Sequence, residues 1–260
     1  RLWSSVKTRP AFQMIKNAIQ QGVFNQVQTL LDATSGNTGI AYASIGGALG
    51  IPITLCLPEN ASEERKTILK SLNAELVYTS RFESTAGAQI KARELKARYY
   101  YADQKTHNTN LKSHLYTTAS EIWKKKKKKI THFVAGLGTT GTFTGTGRGL
   151  KEFNPGIELI ALQPDNPMHG LEGWKHLETA IVPRIYDETV ADRFLEIETL
   201  EAFEMVRRVA RKEGLLISPS AAANLLGAIK VAETINEGVV VTTFADDASK
   251  YGEVIGQIMS

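Results

Sequence analysis

Residues 136–147, GLGTTGTFTGTG, combine glycine and threonine in a pattern that suits anion chemistry. An apolar run, ITHFVA (130–135), precedes them, and a helical pattern, FTGTGRGLKEF (143–153), follows. A glycine-rich turn between a strand and a helix leaves no Cβ in the way of a ligand, and free N–H groups and the helix dipole point at a phosphate. The first six residues also match G-x-G-x-x-G, the dinucleotide fingerprint. A dinucleotide needs an acidic residue closing the next strand to hold its ribose. Here IELIALQ (157–163) ends in Gln163, and Asp165 lies beyond Pro164.

Two further turns are small and polar, TSGNTG (34–39) and ISPSAA (217–222), and all three read as strand-to-helix turns. In TSGNTG, Thr34, Ser35, Asn37 and Thr38 set hydroxyls and an amide beside a helix start. That arrangement suits a small anion such as a carboxylate, although the same residues also serve as plain helix caps. Lys7, in SSVKTRPA, stands just before a helix. A lysine beside a phosphate cradle and an anion cradle can form a Schiff base with pyridoxal phosphate, whose phosphate would then fill the glycine loop.

The elements that must position these residues alternate between helix and apolar strand. Helices are expected from Pro10 to Gly22, over 40–50, over 62–72 with Ser62 as its N-cap, over 84–98 and over 116–123. Further helices are expected over 143–153, over 199–214, after Ser218 and over 251–259. Strands are expected at 27–33, 51–57, 74–79, 130–135, 157–163 and 238–244. A polar interval, 103–113, reads as a domain seam, and 164–188 reads as irregular. Repeated βα units imply parallel sheets with helices on both faces, and ligands gather at the carboxyl ends of such strands.

Bulk properties narrow the classes. The 260 residues are 42% hydrophobic and 22% charged, enough for one large or two smaller globular domains. The formal charge of +4 owes everything to one block, KKKKKK (124–129), and without those six lysines it would be −2. No aromatics interleave with the lysines, so they read as a solvated helix end or loop and no nucleic-acid partner is expected. The single cysteine, Cys56, sits in an apolar strand, permits no internal disulfide and favours a reducing compartment. No metal site and no membrane span are expected, and the location is read as cytoplasmic. The opening RLWSSVKTRP resembles neither a signal peptide nor a domain start, so the natural beginning is expected to be missing.

With these motifs in place, the sequence resembles the β-family (fold type II) pyridoxal-phosphate enzymes, and within it the cysteine synthases or O-acetylserine sulfhydrylases. SSVKTRPA resembles the Schiff-base segment, and TSGNTGIA is the substrate loop letter for letter. GTTGTFTGTGR resembles the phosphate loop, and EGLLISPSAA the segment that faces the pyridine nitrogen. PENASEERKTILKSLNAEL, HGLEGWKH and FADDASKYGE follow in the expected order, so the likeness spans the chain. It implies two open, twisted, mostly parallel α/β domains (1–110 and 111–260), as in the tryptophan synthase β chain, with the cofactor in the cleft between them. It implies that Lys7 carries pyridoxal 5′-phosphate and removes the Cα proton, and that Asn37 bonds the cofactor's 3′ oxygen. Gly138, Thr139, Thr140, Gly141 and Thr142 would wrap the phosphate, and Ser218 would face the pyridine nitrogen. Thr34, Ser35, Gly36, Asn37, Thr38 and Gln104 would form the substrate site, the hydroxyls and Gln104 taking the α-carboxylate.

The implied reaction is β-replacement: elimination from an activated serine to an aminoacrylate, then addition of sulfide to give cysteine. O-acetylserine is the expected donor. O-phosphoserine would call for a cation such as Lys175 or Arg184, both of which read first as surface charges. His169 and His176 read as loop residues. The resemblance also implies a homodimer. Departures from the pattern are Thr8 where aspartate is usual, Ser220 where glycine is usual, and an unusual stretch after Gln104. Thr8 and Ser220 keep open a noncatalytic relative that binds a regulatory partner, and a cystathionine β-synthase-like enzyme is a further alternative.

Overall fold

The structure is a computed structural model that describes residues 5–26, 29–126 and 129–260. The start of the strand expected at 27–33, the RLWS opening and two lysines of the basic block lie outside the described residues. The chain divides into two compact units, 1–109 and 110–260.

In the first unit, α1 (Thr8–Gln20) leads to β1 (Leu30–Ala33), α2 (Asn37–Leu49), β2 (Ile53–Pro58) and α3 (Glu63–Ser71). Then come β3 (Glu75–Thr79), α4 (Ser84–Leu95) and the two-residue β4 (Tyr100–Tyr101). The sheet order is β3-β2-β1-β4 and every pairing is parallel. Both faces are covered, as continuous apolar strands require. Leu30 and Leu55 pack with Met14, Ile15, Tyr42 and Leu69 of α1, α2 and α3. Leu31 and Cys56 pack on the other side against Ala88 and Ala92 of α4. Cys56 is therefore the packed strand residue its neighbours imply, and burial pushes its thiol up to about 11.

The second unit contains β5 (His132–Gly136), α7 (Gly141–Phe153), β6 (Glu158–Pro164) and β7 (Arg193–Ile197). It continues with α8 (Thr199–Glu213), α9 (Pro219–Ala232), β8 (Val240–Thr242) and α10 (Gly252–Met259). Its sheet, β7-β6-β5-β8, is also wholly parallel. Side chains alternate between its faces with the two-residue period of a strand. Phe133 and Leu159 pack with Phe143 and Leu150 of α7, whereas Val134 and Ile160 pack with Ala202, Ala223 and Val231 of α8 and α9.

The structure adds to or corrects the sequence reading at four places. The interval 103–113, read as a domain seam, also contains a helix: α5 (Asn108–Ser113) runs into a π-helical turn, His114–Ala119, and then α6 (Ser120–Lys125). Its polar residues hid the helix because Asn110, Ser113, His114 and Thr118 are buried yet hydrogen-bonded. The strand β7 went unread, since an edge strand with alternating exposure (RFLEI) has no continuous apolar run. ISPSAA joins α8 to α9 and opens on a single antiparallel bridge, Ile217 to Asp247, instead of following a strand. Ser62 stands at the N-cap of α3 as the sequence implies, without a side-chain capping bond. The described lysines of the basic block, Lys124–Lys126 and Lys129, are exposed at and beyond the end of α6. Among the described residues no helix is long and apolar enough to cross a membrane, and no cluster of side chains suits a metal ion.

Candidate functional site

Both sheets are wound outward from a central strand and then return to its other side. In the first unit β1 is followed by β2 and β3 on one side and by β4 on the other, so the order reverses at the end of β1. In the second unit the same reversal falls between β5 and β8. Connections leave such a point in opposite directions and open a crevice at the strand ends, where α/β proteins bind ligands. TSGNTG follows β1 and GLGTTG follows β5. The two sequence motifs therefore occupy the two switch points.

At the first switch point, Thr34 extends the sheet by donating its N–H to the Cys56 carbonyl, and its Oγ1 accepts from Gly36 N. Gly36 is the N-cap of α2, and no side chain caps that helix start. Thr38 is buried and donates its hydroxyl to Gln104 Oε1 at 2.8 Å. Thr34, Ser35, Gly36, Asn37, Thr38 and Gln104 thus share one locale, with the dipole of α2 directed at it. Lys7 belongs to the same unit, at the N-cap position of α1, its backbone N–H on Ser5 Oγ at 3.2 Å. The neighbouring Thr8 Oγ1 is buried without a hydrogen-bond partner among the described residues.

At the second switch point, the loop from Gly136 to Thr140 meets α7, whose start also carries no side-chain cap. Thr140 adopts φ +67°, a left-handed conformation that is an outlier for a β-branched residue. Its hydroxyl is buried and has no hydrogen-bond partner among the described residues. A strained backbone holding an unsatisfied hydroxyl at an uncapped helix start fits a tetrahedral oxyanion such as phosphate. Glycine is required by packing as well. A Cβ at Gly138 would lie 2.0 Å from the Gly173 carbonyl, and one at Gly141 would lie 2.3 Å from Asn110 Oδ1.

Residues that sequence reasoning missed hold this loop in place. Asn110 Nδ2 donates to Thr139 Oγ1 at 3.2 Å. The wholly buried His114 ring bridges Thr118 Oγ1, at 2.9 Å from Nδ1, and Thr142 Oγ1, at 3.3 Å from Nε2. They lie on or beside the π-helical turn, a distortion that often marks functional sites. Asn224, buried on α9, spans the crevice: its Oδ1 accepts from Gly136 N and its Nδ2 donates to the Thr243 carbonyl, both at 2.8 Å. A helix-borne asparagine and histidine give no sequence signal, because only folding brings them to the strand ends.

Ser218 is fully buried at the N-cap of α9, where Pro219 takes the first helical position. Its Oγ accepts from Ala221 N and lies 3.2 Å from Ser220 Oγ. Ser220 is thus a hydrogen-bonding neighbour of Ser218. Lys175 is half-buried, its backbone N–H on the Leu137 carbonyl at 2.8 Å, and burial lowers its ammonium from the usual range. Arg184 is exposed. Burial, followed by the charge of His176, lowers His169, whereas His176 Nδ1 is engaged by Thr179 Oγ1 at 3.0 Å.

Comparison with known proteins agrees with this geometry. The sequence model of the family described as "Pyridoxal-phosphate dependent enzyme" matches residues 3–246. The chain is 46% identical to a cysteine synthase of Aquifex aeolicus (strain VF5) over 255 residues, covering 95% of this chain and 78% of that one. Among solved structures, O-acetyl serine sulfhydrylase isoform 3 from Entamoeba histolytica superposes with a TM-score of 0.87 at 32% identity, covering 95% of this chain and 77% of that one. An O-ureido-L-serine synthase gives 0.89 at 31% identity, covering 95% and 82%. On the match across residues 3–246 and the identity to a curated relative, this chain belongs to the pyridoxal-phosphate dependent enzyme family.

Proposed function

We propose that the protein makes L-cysteine by β-replacement, from O-acetylserine and sulfide. The observation that carries this reading is the identity to a cysteine synthase along 95% of the chain, joined to two switch-point loops suited to a carboxylate and a phosphate. When bound, pyridoxal 5′-phosphate supplies the sink for the electron pair left at Cα. In this reading Lys7 Nζ carries the cofactor and, once freed of it, takes the Cα proton. The N–H groups at the start of α7, with Gly138, Thr139, Thr140, Gly141 and Thr142, hold the phosphate, and the Thr140 hydroxyl gains the partner it lacks. Ser218 offers the pyridine nitrogen a neutral hydroxyl, and Asn37 bonds the 3′ oxygen. Thr34, Ser35, Gly36, Asn37, Thr38 and Gln104 hold the substrate, its carboxylate lying at the start of α2. A carboxylate fixed there holds the substrate in one orientation, which lowers the entropic part of the barrier.

A solved structure of the same fold is named an O-ureido-L-serine synthase, so the choice of sulfide needs its own assay. Purified protein is expected to carry a visible cofactor band, to yield a borohydride-trapped label on Lys7, and to form cysteine from O-acetylserine only when sulfide is added. Cysteine formation from O-phosphoserine in preference to O-acetylserine would change the donor. A cofactor label mapping to another lysine would overturn the Lys7 assignment. Absence of any cysteine would leave the noncatalytic, partner-binding alternative. A homodimer in the reducing cytoplasm, with small-molecule substrates as its partners, completes the proposal.

A further inference from the structure

Asp32 is a buried carboxylate at the end of β1 that the reaction above does not use. Beside it the β1–β4 ladder runs from Tyr100 N to the Thr29 carbonyl and from Ala102 N to the Leu31 carbonyl, both at 2.9 Å. The next N–H in that series is that of Gln104. It donates to Asp32 Oδ2 at 3.4 Å, while Oδ1 accepts from Ala33 N at 2.8 Å. The carboxylate thus ties the end of β1 to the turn that follows β4. The side chain of Gln104 in turn accepts the Thr38 hydroxyl at 2.8 Å. The turn that bears Gln104 is tight: Asp103 has φ +42°, and its carbonyl accepts from Thr106 N and His107 N.

We propose that Asp32 is a positioning residue of the substrate-carboxylate site, acting through the Gln104 turn. The inference rests on the reading that TSGNTG takes the substrate carboxylate. Ionised, Asp32 offers acceptors to both N–H groups; protonated, it turns one oxygen into a donor facing an N–H, and the hold on the turn weakens. The groups facing it are Tyr42 from α2, which hydrogen-bonds the carboxylate, Cys56 from β2, Tyr101 from β4 and Asp103 from the turn. Burial and the Asp103 charge raise its pKa to about 6, within reach of ordinary assays. Substrate binding is accordingly expected to weaken as pH falls through that range.

The test compares the wild-type holoenzyme with Asp32→Asn, whose amide N–H₂ opposes one backbone N–H. KM for O-acetylserine is expected to rise about tenfold, with kcat changed less than about threefold and cofactor affinity unchanged. The wild-type KM should climb between pH 7.5 and 5.5, and that of Asp32→Asn should stay flat. Combined with Gln104→Ala, the Asp32→Asn loss should vanish, because both act on one turn. Unchanged KM and pH profile, or losses that multiply in the double variant, would overturn the proposal. Hydrogen exchange over 102–106 judges it independently of turnover: Asp32→Asn should speed exchange there, and unaltered exchange would refute the anchoring role. If the wild type makes no cysteine yet exchange responds, the functional reading fails and the anchor stands.

Discussion

Replacing Thr140 by glycine separates strain stored for a ligand from strain without a use. Thr140 holds a β-branched side chain at φ +67° and buries a hydroxyl with no partner among the described residues. Left-handed backbone costs an L-residue about 1–2 kcal/mol, and an unsatisfied buried hydroxyl costs about 1–3 kcal/mol. Glycine removes both costs, offset by about 0.5–1 kcal/mol of extra chain entropy in the unfolded state. Thr140→Gly is therefore expected to stabilise the cofactor-free protein by about 1–4 kcal/mol. The same change removes a hydrogen bond to a charged phosphate, about 1.5–3 kcal/mol, and should weaken cofactor binding roughly 10- to 100-fold. Chemical denaturation of the stripped protein and a fluorescence titration with pyridoxal phosphate give the two numbers. A variant that is less stable without cofactor and binds it as tightly as the wild type would refute the reasoning.

Three other changes address neighbouring claims. Gly138→Ala places a methyl group 2.0 Å from the Gly173 carbonyl, so the loop must shift; titration should show at least a tenfold loss of cofactor affinity, the order of one charge-assisted hydrogen bond. Ser220→Gly removes the hydroxyl 3.2 Å from Ser218 Oγ. Its visible cofactor spectrum should shift, with affinity altered less than about fivefold, the size of one neutral hydrogen bond. Cys56, with its thiol at about 11 and its side chain buried, should react with a disulfide reagent at pH 8 about a thousandfold more slowly in the native protein than in denaturant.

The loops were legible in the sequence, and the residues that hold them were not. TSGNTG and GLGTTG announce themselves because tight turns and free N–H groups demand particular residue types within six positions. Their placement at switch points follows from strand order, which no local pattern encodes. Asn110, His114 and Asn224 sit on helices among apolar or polar neighbours that look ordinary, and their hydrogen bonds to Thr139, Thr142 and Gly136 span 28 to 88 residues of chain. Likewise α5 reads as a polar seam because its buried side chains find partners that only folding supplies, Thr109 on Asn17 and Asn110 on Thr139. The edge strand β7 carries too few apolar residues to signal burial on both faces. Sequence reading therefore finds loops that local chemistry shapes and misses the residues that fix them through tertiary packing.

Asp32 shows the energetic side of that distinction. Its carboxyl rises from 3.8 to about 6 because burial, the largest cause, disfavours the charged form. A raised carboxyl contributes stability that is fully present below its unfolded value and is lost as pH rises through the folded one. The change, about two units, corresponds to about 3 kcal/mol. Between pH 3.8 and 6 the wild type should therefore lose about 3 kcal/mol that Asp32→Asn, which does not titrate, retains. Urea unfolding of both proteins at pH 4.5, 5.5, 6.5 and 7.5 measures the difference, and parallel curves would show that the carboxylate is not held at this cost. At neutral pH the protein keeps a charge that weakens its own fold. That is understandable where the ionised oxygens grip both Ala33 N and Gln104 N beside the proposed substrate loop, which an amide, turning its N–H₂ toward one of them, would not.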